Sequence, residues 1–283
     1  MLASFIVMFR EVLEIALLSG ILITYLDRKG AGQYKNLVWS AIAMGIALSI
    51  LLAMGFDVLA GGFTGKSEQI YEGILMIAGA ILVTSLILWM IREGNYAKKL
   101  TSQIERAIDK KAVMGIFSIT LIAVLREGIE IVFFMYGVAA KAQGGMIIGA
   151  VLGTILAIAA GIIINIAGKR IGLYGFFMVT NIILILFAAG MLSYGVHELQ
   201  EAGIIPTVIE HVYDINPPVV TEGVYPLLHE KGALGSIAKS LFGYNGNPSL
   251  IESLTYVIYL ISVGFYWKRS THEKNDNKKV TAN

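Results

Sequence analysis

Apolar residues run almost unbroken from Leu2 to Leu26. Six further stretches of similar length follow, at roughly 37–60, 72–91, 113–140, 146–167, 171–196 and 249–267. A helix that crosses a bilayer needs about 20 mostly apolar residues. The pattern therefore predicts an all-α integral membrane protein with seven transmembrane helices. Most connectors are short and polar, with three exceptions. Residues 92–112 form a charged loop, 197–248 a long mixed loop holding all five prolines, and 268–283 a basic tail that reads as disordered. Inside the long loop, Leu227–Phe242 spaces its apolar residues as an amphipathic helix lying on the membrane surface. The first apolar run lacks a basic head and a small-residue cleavage site, so it reads as a span and not as a removable signal.

Positive charge is unevenly divided between the loops. Sixteen Lys and Arg lie in 27–36, 92–112, 168–170 and the tail, against four in 61–71, 141–145 and 197–248. Basic loops stay in the cytoplasm, which predicts an outside N-terminus and a cytoplasmic C-terminus in the cell membrane. The first span then runs inward and the fourth outward. Spans one to three (1–91) and four to six (113–196) become two inverted three-helix repeats. The seventh helix (249–267) stands outside them and completes a permease domain over 1–267, followed by the cytoplasmic tail.

Composition narrows the function. Hydrophobic residues make up 56% of the chain and charged ones 15%, with a mean hydropathy of +0.72. Soluble domains carry about 25% charged residues. The absence of cysteine excludes disulfides, thiol catalysis and cysteine-held metal clusters. Its four histidines fall in the outer loop or the tail, which leaves no base at depth for an intramembrane hydrolase. No Gly-rich nucleotide loop is present. An enzyme, a prosthetic group and a nucleic-acid partner are all unexpected.

Charge inside the spans is the sharpest signal. Arg10-Glu11-Val12-Leu13-Glu14 and Arg126-Glu127-Gly128-Ile129-Glu130 repeat one pattern, Arg-Glu-x-x-Glu, in the first and fourth spans. Each such charge costs roughly 2.5–3.5 kcal/mol at the centre of a spanning helix, which marks a functional site. Residues three or four apart share a helix face, so Glu11 and Glu14 align, as do Glu127 and Glu130. Crossing the two helices at their motifs would bring four carboxylates and two guanidiniums together, a formal sum of −2. That surplus suits one divalent cation, and carboxylate oxygens suit hard or borderline ions, iron among them. Arg10 and Arg126 would hold the acids in two-pronged hydrogen bonds. Structural ion pairing alone leaves one acid per copy unexplained. A proton relay through the same glutamates, in a carrier of another divalent cation or small solute, is the alternative.

The doubled motif on spans one and four of a seven-helix chain resembles the oxidase-dependent iron transporter family, which includes fungal high-affinity iron permeases and bacterial Efe-type permeases. His197-Glu198-Leu199-Gln200-Glu201-Ala202-Gly203 and Leu241-Phe242-Gly243-Tyr244 are similar to its bacterial branch. The resemblance implies iron, ferrous or ferric, as cargo and Glu11, Glu14, Glu127 and Glu130 as its ligands. The fungal Asp-Ala-Ser-Glu element is absent, which counts against a ferroxidase partner of the fungal kind. The large extracytoplasmic N-terminal region of some bacterial relatives is not seen either, so an extracytoplasmic iron-binding or oxidase step is expected from a separate partner.

At the outer mouth, Glu72, His197, Glu198 and Glu201 form a candidate first docking site, provided the sixth helix runs on past 196. A solvated helix end is the plainer reading of the last three. Asn165 and Asn181, within spans, read as helix–helix hydrogen-bonding residues, and Gly149-x-x-x-Gly153 as a close-packing motif.

Overall fold

The computed structural model describes residues 1–93, 102–107, 113–141, 145–167, 174–216 and 225–280. All regular structure among them is helical. Eight α-helices are α1 (Leu2–Arg28), α2 (Lys35–Ala60), α3 (Lys66–Glu93), α4 (Val113–Lys141), α5 (Met146–Ala167), α6 (Tyr174–Glu201), α7 (Ala233–Phe242) and α8 (Leu250–Val280). Helices are what an apolar chain must form in lipid, because every backbone N–H and C=O then pairs within its own segment.

Five of them, α2, α3, α5, α6 and α8, are long and apolar enough to cross a membrane. The helices α1 and α4 are as long, at 27 and 29 residues, but each carries three motif charges at its middle. Large apolar side chains such as Leu51, Met54, Ile155, Ile163, Ile258 and Ile261 are exposed. Apolar faces of this extent mark a surface that meets lipid or another protein rather than water. The chain is a multi-pass membrane protein.

The residues separate into two compact units. One comprises Met1–Leu59 and Asn95–Phe177, and so holds α1, nearly all of α2, α4 and α5. Here α5 lies directly on α1. A Cβ on Gly149 would sit 2.1 Å from the Met1 carbonyl oxygen, one on Gly153 2.5 Å from that of Phe5, and one on Gly161 2.6 Å from the Ala16 Cβ. Asn165 Nδ2 donates to the Gly161 carbonyl at 2.9 Å and to that of Ala16 at 3.4 Å. In the same way α2 meets α4: a Cβ on Gly45 would lie 2.7 Å from Val124 Cγ1, and one on Gly128 1.8 Å from Ser49 Oγ.

The C-terminal half of α1 packs on the N-terminal half of α4, so these two helices run in opposite directions. Leu22 and Leu26 join Ile116, Ala123 and Val124 in an apolar cluster there. Ile104 and Ala107, from the helical run at 102–107, complete it. At the end of α1, Gly30 takes a φ of 67° and its N–H bonds to the Asp27 carbonyl, which turns the chain toward α2.

The second unit comprises Ala60–Gly94 and Met178–Asn283. Gly73 and Gly195 let α3 and α6 touch; a Cβ on Gly195 would stand 2.8 Å from the Gly73 carbonyl oxygen. Thr84 shares a hydrogen bond with Tyr259 across α3 and α8. Ser193 Oγ donates to the Glu252 carbonyl at 3.2 Å, joining α6 to α8.

Three boundaries differ from expectation. The sixth helix does continue, through Glu201. The amphipathic helix in the outer loop is shorter, Ala233–Phe242, because the preceding residues turn about Pro226 and Gly232. The last helix carries on through Val280 into the tail expected to be disordered. Extending an existing helix needs no new nucleus, and Glu273, Lys274, Lys278 and Lys279 have high helix propensity. Parts of the charged loop, the outer loop and the tail (94–101, 108–112, 217–224 and 281–283) lie outside the described residues.

Candidate metal centre

The motifs of α1 and α4 meet inside the first unit. Arg10, Glu11 and Glu127 are fully buried, Glu130 is 3% exposed and Glu14 9%. Each arginine pairs first with the glutamate that follows it, Arg10 with Glu11 and Arg126 with Glu127. It then reaches the second glutamate of its own motif, Arg10 Nη2 at 3.1 Å from Glu14 Oε1 and Arg126 Nε at 3.6 Å from Glu130 Oε1. The third contact crosses to the other helix. Arg10 Nη1 lies 3.8 Å from Glu130 Oε2, and Arg126 Nη2 lies 3.8 Å from Glu14 Oε2. Glu14 and Glu130 therefore each bridge both arginines, while the ion pairs of Glu11 and Glu127 given above lie within their own motifs.

That division matters for ligand binding. Glu11 Oε2 and Glu127 Oε2 are buried and accept no hydrogen bond. A buried acceptor left unmade costs about 1–3 kcal/mol, more for a charged group. One oxygen each from Glu11, Glu14 and Glu127 lies within 4.8 Å of the other two. Three convergent carboxylates, two of which each keep one uncommitted oxygen, could serve as part of a coordination shell for an oxygen-loving cation. Glu130, the fourth acid singled out by the motif, stands outside this trio and is held by the two arginines.

The outer residues are brought together in the second unit. His197 is bracketed, its Nε2 at 3.2 Å from Glu201 Oε1 and its Nδ1 at 3.1 Å from Glu252 Oε1. Gln69 of α3 donates to Glu201 at 2.9 Å. Glu198 is buried, and the α3–α6 contact at Gly73 places half-buried Glu72 on its side of the pair. These are neither free solvated side chains nor an assembled metal shell. Glu252 was not foreseen. Its Oε1 accepts from Ser249 N at 3.1 Å while Ser249 Oγ accepts from Glu252 N at 3.2 Å, closing a capping box at the start of α8. The sequence signal was present as Ser-x-x-Glu at 249–252.

Comparison with known proteins decides the family. A sequence profile of the Iron permease FTR1 family matches residues 1–271, nearly the whole chain. The chain belongs to the iron permease FTR1 family. Relatives within reach of this FTR1 chain include proteins named ferrous iron permease EfeU. The one from Yersinia pestis is 29% identical over 265 residues, 92% of this chain and 91% of the relative. One from Yersinia pseudotuberculosis is 29% identical over 261 residues, 91% and 88% of the two chains. One from Escherichia coli O6:K15:H31 is 28% identical over 270 residues, 92% and 93%. No solved structure matches this FTR1-family chain. FTR1 proteins are iron permeases, transporters and not enzymes.

Proposed function

We propose that this chain is a seven-span permease that imports iron, ferrous or ferric, across the cytoplasmic membrane. The ion would pass a midplane site built from Glu11, Glu14, Glu127 and Glu130, with Arg10 and Arg126 separating the acids between passages. The single observation that carries this reading is the trio of buried carboxylates with two uncommitted oxygens. Membership of the FTR1 family and relatives named ferrous iron permeases favour iron as the ion.

Inverted repeats are favoured by more than the motifs. Arg10, Glu11 and Glu14 each precede their counterparts by 116 residues, and so do Gly45 and Ser49 precede Gly161 and Asn165. Ser49 Oγ donates to the Gly45 carbonyl at 2.8 Å, as Asn165 Nδ2 does to that of Gly161 at 2.9 Å. Each polar side chain sits against the motif helix of the opposite half. With α1 and α4 antiparallel, the arrangement agrees with a site at the junction of two inverted halves. The uneven loop charge favours an outside N-terminus and a cytoplasmic C-terminus.

An arriving ion would meet Glu72, Glu198, Glu201 and His197 at the outer end, where a separate iron-binding or oxidase protein would dock. It would then exchange water for glutamate oxygens at the centre. A 100 mV potential favours inward movement by about 2.3 kcal/mol per charge. The test is uptake of radiolabelled Fe(II) and Fe(III) into proteoliposomes, with competing divalent metals. A Glu14→Ala, Glu130→Ala double variant should lose uptake. Uptake equal to that of the wild type would rule out the site, and proton flux without iron flux would favour a proton-coupled carrier.

A further inference from the structure

Beyond the glutamates, toward the C-terminal end of α1, the first unit contains a cavity with room for a single water-sized particle. Its walls are mostly apolar, from Leu18 and Leu22 of α1 and Ala123 and Val124 of α4. Two hydroxyl residues also line it, Ser19 and Thr120, and both are buried. Each has already committed its proton. Ser19 Oγ donates to the Ile15 carbonyl at 2.6 Å, and Thr120 Oγ1 to that of Ile116 at 2.9 Å. A hydroxyl carries one donor and two acceptor positions, so what remains for the cavity is oxygen lone pairs alone. A lining that only accepts suits a cation or its water and disfavours an anion.

Position supports the same conclusion. Ser19 lies five residues past Glu14, about 7.5 Å along α1, and Thr120 seven residues before Glu127, about 10 Å along the antiparallel α4. The cavity is thus the next polar point beyond the carboxylates, and the apolar cluster with Leu26, Ile104 and Ile116 closes the way after it. The feature is also one-sided. Shifting by 116 residues relates Thr120 to Ser4, which is buried with Oγ donating to the Met1 carbonyl at 2.8 Å, but relates Ser19 to Met135. The related positions on the other side, Ser4 and Met135, carry one hydroxyl and not two.

We infer that Ser19 and Thr120 form a second, weaker station on the divalent cation's way from the glutamates to the cytoplasm, one whose oxygens accept from the ion's water. The inference rests on the permease reading above. Three or four carboxylates bind tightly, and a conducting path needs further sites weak enough to release. Two neutral oxygens would lower the step out of the carboxylate site without trapping the ion.

A chain without native cysteine allows a clean test. Ser19→Cys and Thr120→Cys each place a soft thiolate in the cavity, where Cd(II) would bind and plug it. In proteoliposomes, Cd(II) should slow iron uptake by either variant roughly tenfold relative to its effect on wild type, with recovery on adding a dithiol. Ile122→Cys, which is 67% exposed on the outer face of α4, should be unaffected. Iron uptake by both cysteine variants with no Cd(II) block would overturn the station and leave the glutamate site standing. Should a cysteine variant not fold, Ser19→Ala with Thr120→Val gives the answer: turnover should fall several-fold with half-saturation for iron unchanged, and unchanged turnover would overturn the station. Wild type that takes up no iron would remove the permease reading itself, and the station with it.

Discussion

Arg10 has three carboxylates about its guanidinium and no exposure to solvent. Removing such a partner leaves buried acids uncompensated, which typically costs about 3–5 kcal/mol. Arg10→Ala should therefore lower the melting temperature in detergent sharply, whether or not iron is added. Glu11→Gln is the opposite case. The amide keeps an oxygen for Arg10 and removes one of four buried acids that outnumber the two arginines, so it should lower the melting temperature far less than Arg10→Ala does, while iron binding, measured by titration calorimetry, is lost. The sequence made all six of these residues legible, because charge in the middle of an apolar span is too costly to persist without a task. It could not separate Glu130 from the other three. That distinction depends on which carboxylates converge once α1 and α4 cross. Glu252 was legible in principle, as Ser-x-x-Glu ahead of an apolar run, but its pairing with His197 depends on α6 and α8 meeting, and nothing local encodes that.

Packing of whole helices depends on where side chains are missing. Gly161 faces Ala16, two residues beyond Glu14, and a Cβ there would stand 2.6 Å from the Ala16 Cβ. Gly161→Ala should push α5 off α1 and slow iron uptake, and adding Ala16→Gly should restore it. Failure of the second change to rescue the first would mean that this contact does not set the position of α1. Of the small residues along α5, the sequence marked Gly149 and Gly153 as a packing motif; their partner helix was visible only in the structure. The outer loop is tied by a different device. Burial pushes the Glu230 carboxyl up, yet Lys239, the Gly246 N–H and Asn216 outweigh it and hold it below the usual carboxylate range. A value depressed by folding contributes stability that is complete above the unfolded value, about 4.3, and is lost as pH falls through the folded one. Acid should therefore loosen this loop, read as faster hydrogen exchange near Gly246, and Glu230→Gln should remove that dependence on pH. The ends of elements were the least legible part. Where the sixth and last helices stop is decided by continuing an existing helix and not by the edge of the apolar run.

At the scale of the molecule, hydropathy gave the membrane class and the order of the long helices, and loop charge gave a direction for each. Neither indicated how the helices would be grouped. Sequence divides them by repeat, one to three and four to six, whereas packing gathers α1, α2, α4 and α5 into one unit and α3, most of α6, α7 and α8 into another. The first two helices of each expected repeat thus fold together, because glycines on α5 admit α1 and those on α2 and α4 admit each other. All six motif charges belong to that one unit. The crosswise contacts of Arg10 with Glu130 and of Arg126 with Glu14 also bear on origins. Neither motif satisfies its own charges, so a lone half would be an incomplete molecule. If the halves descend from a single gene, its product had to insert in both orientations and find an upside-down copy of itself. On that descent, fusing the two copies would have made the chance encounter permanent.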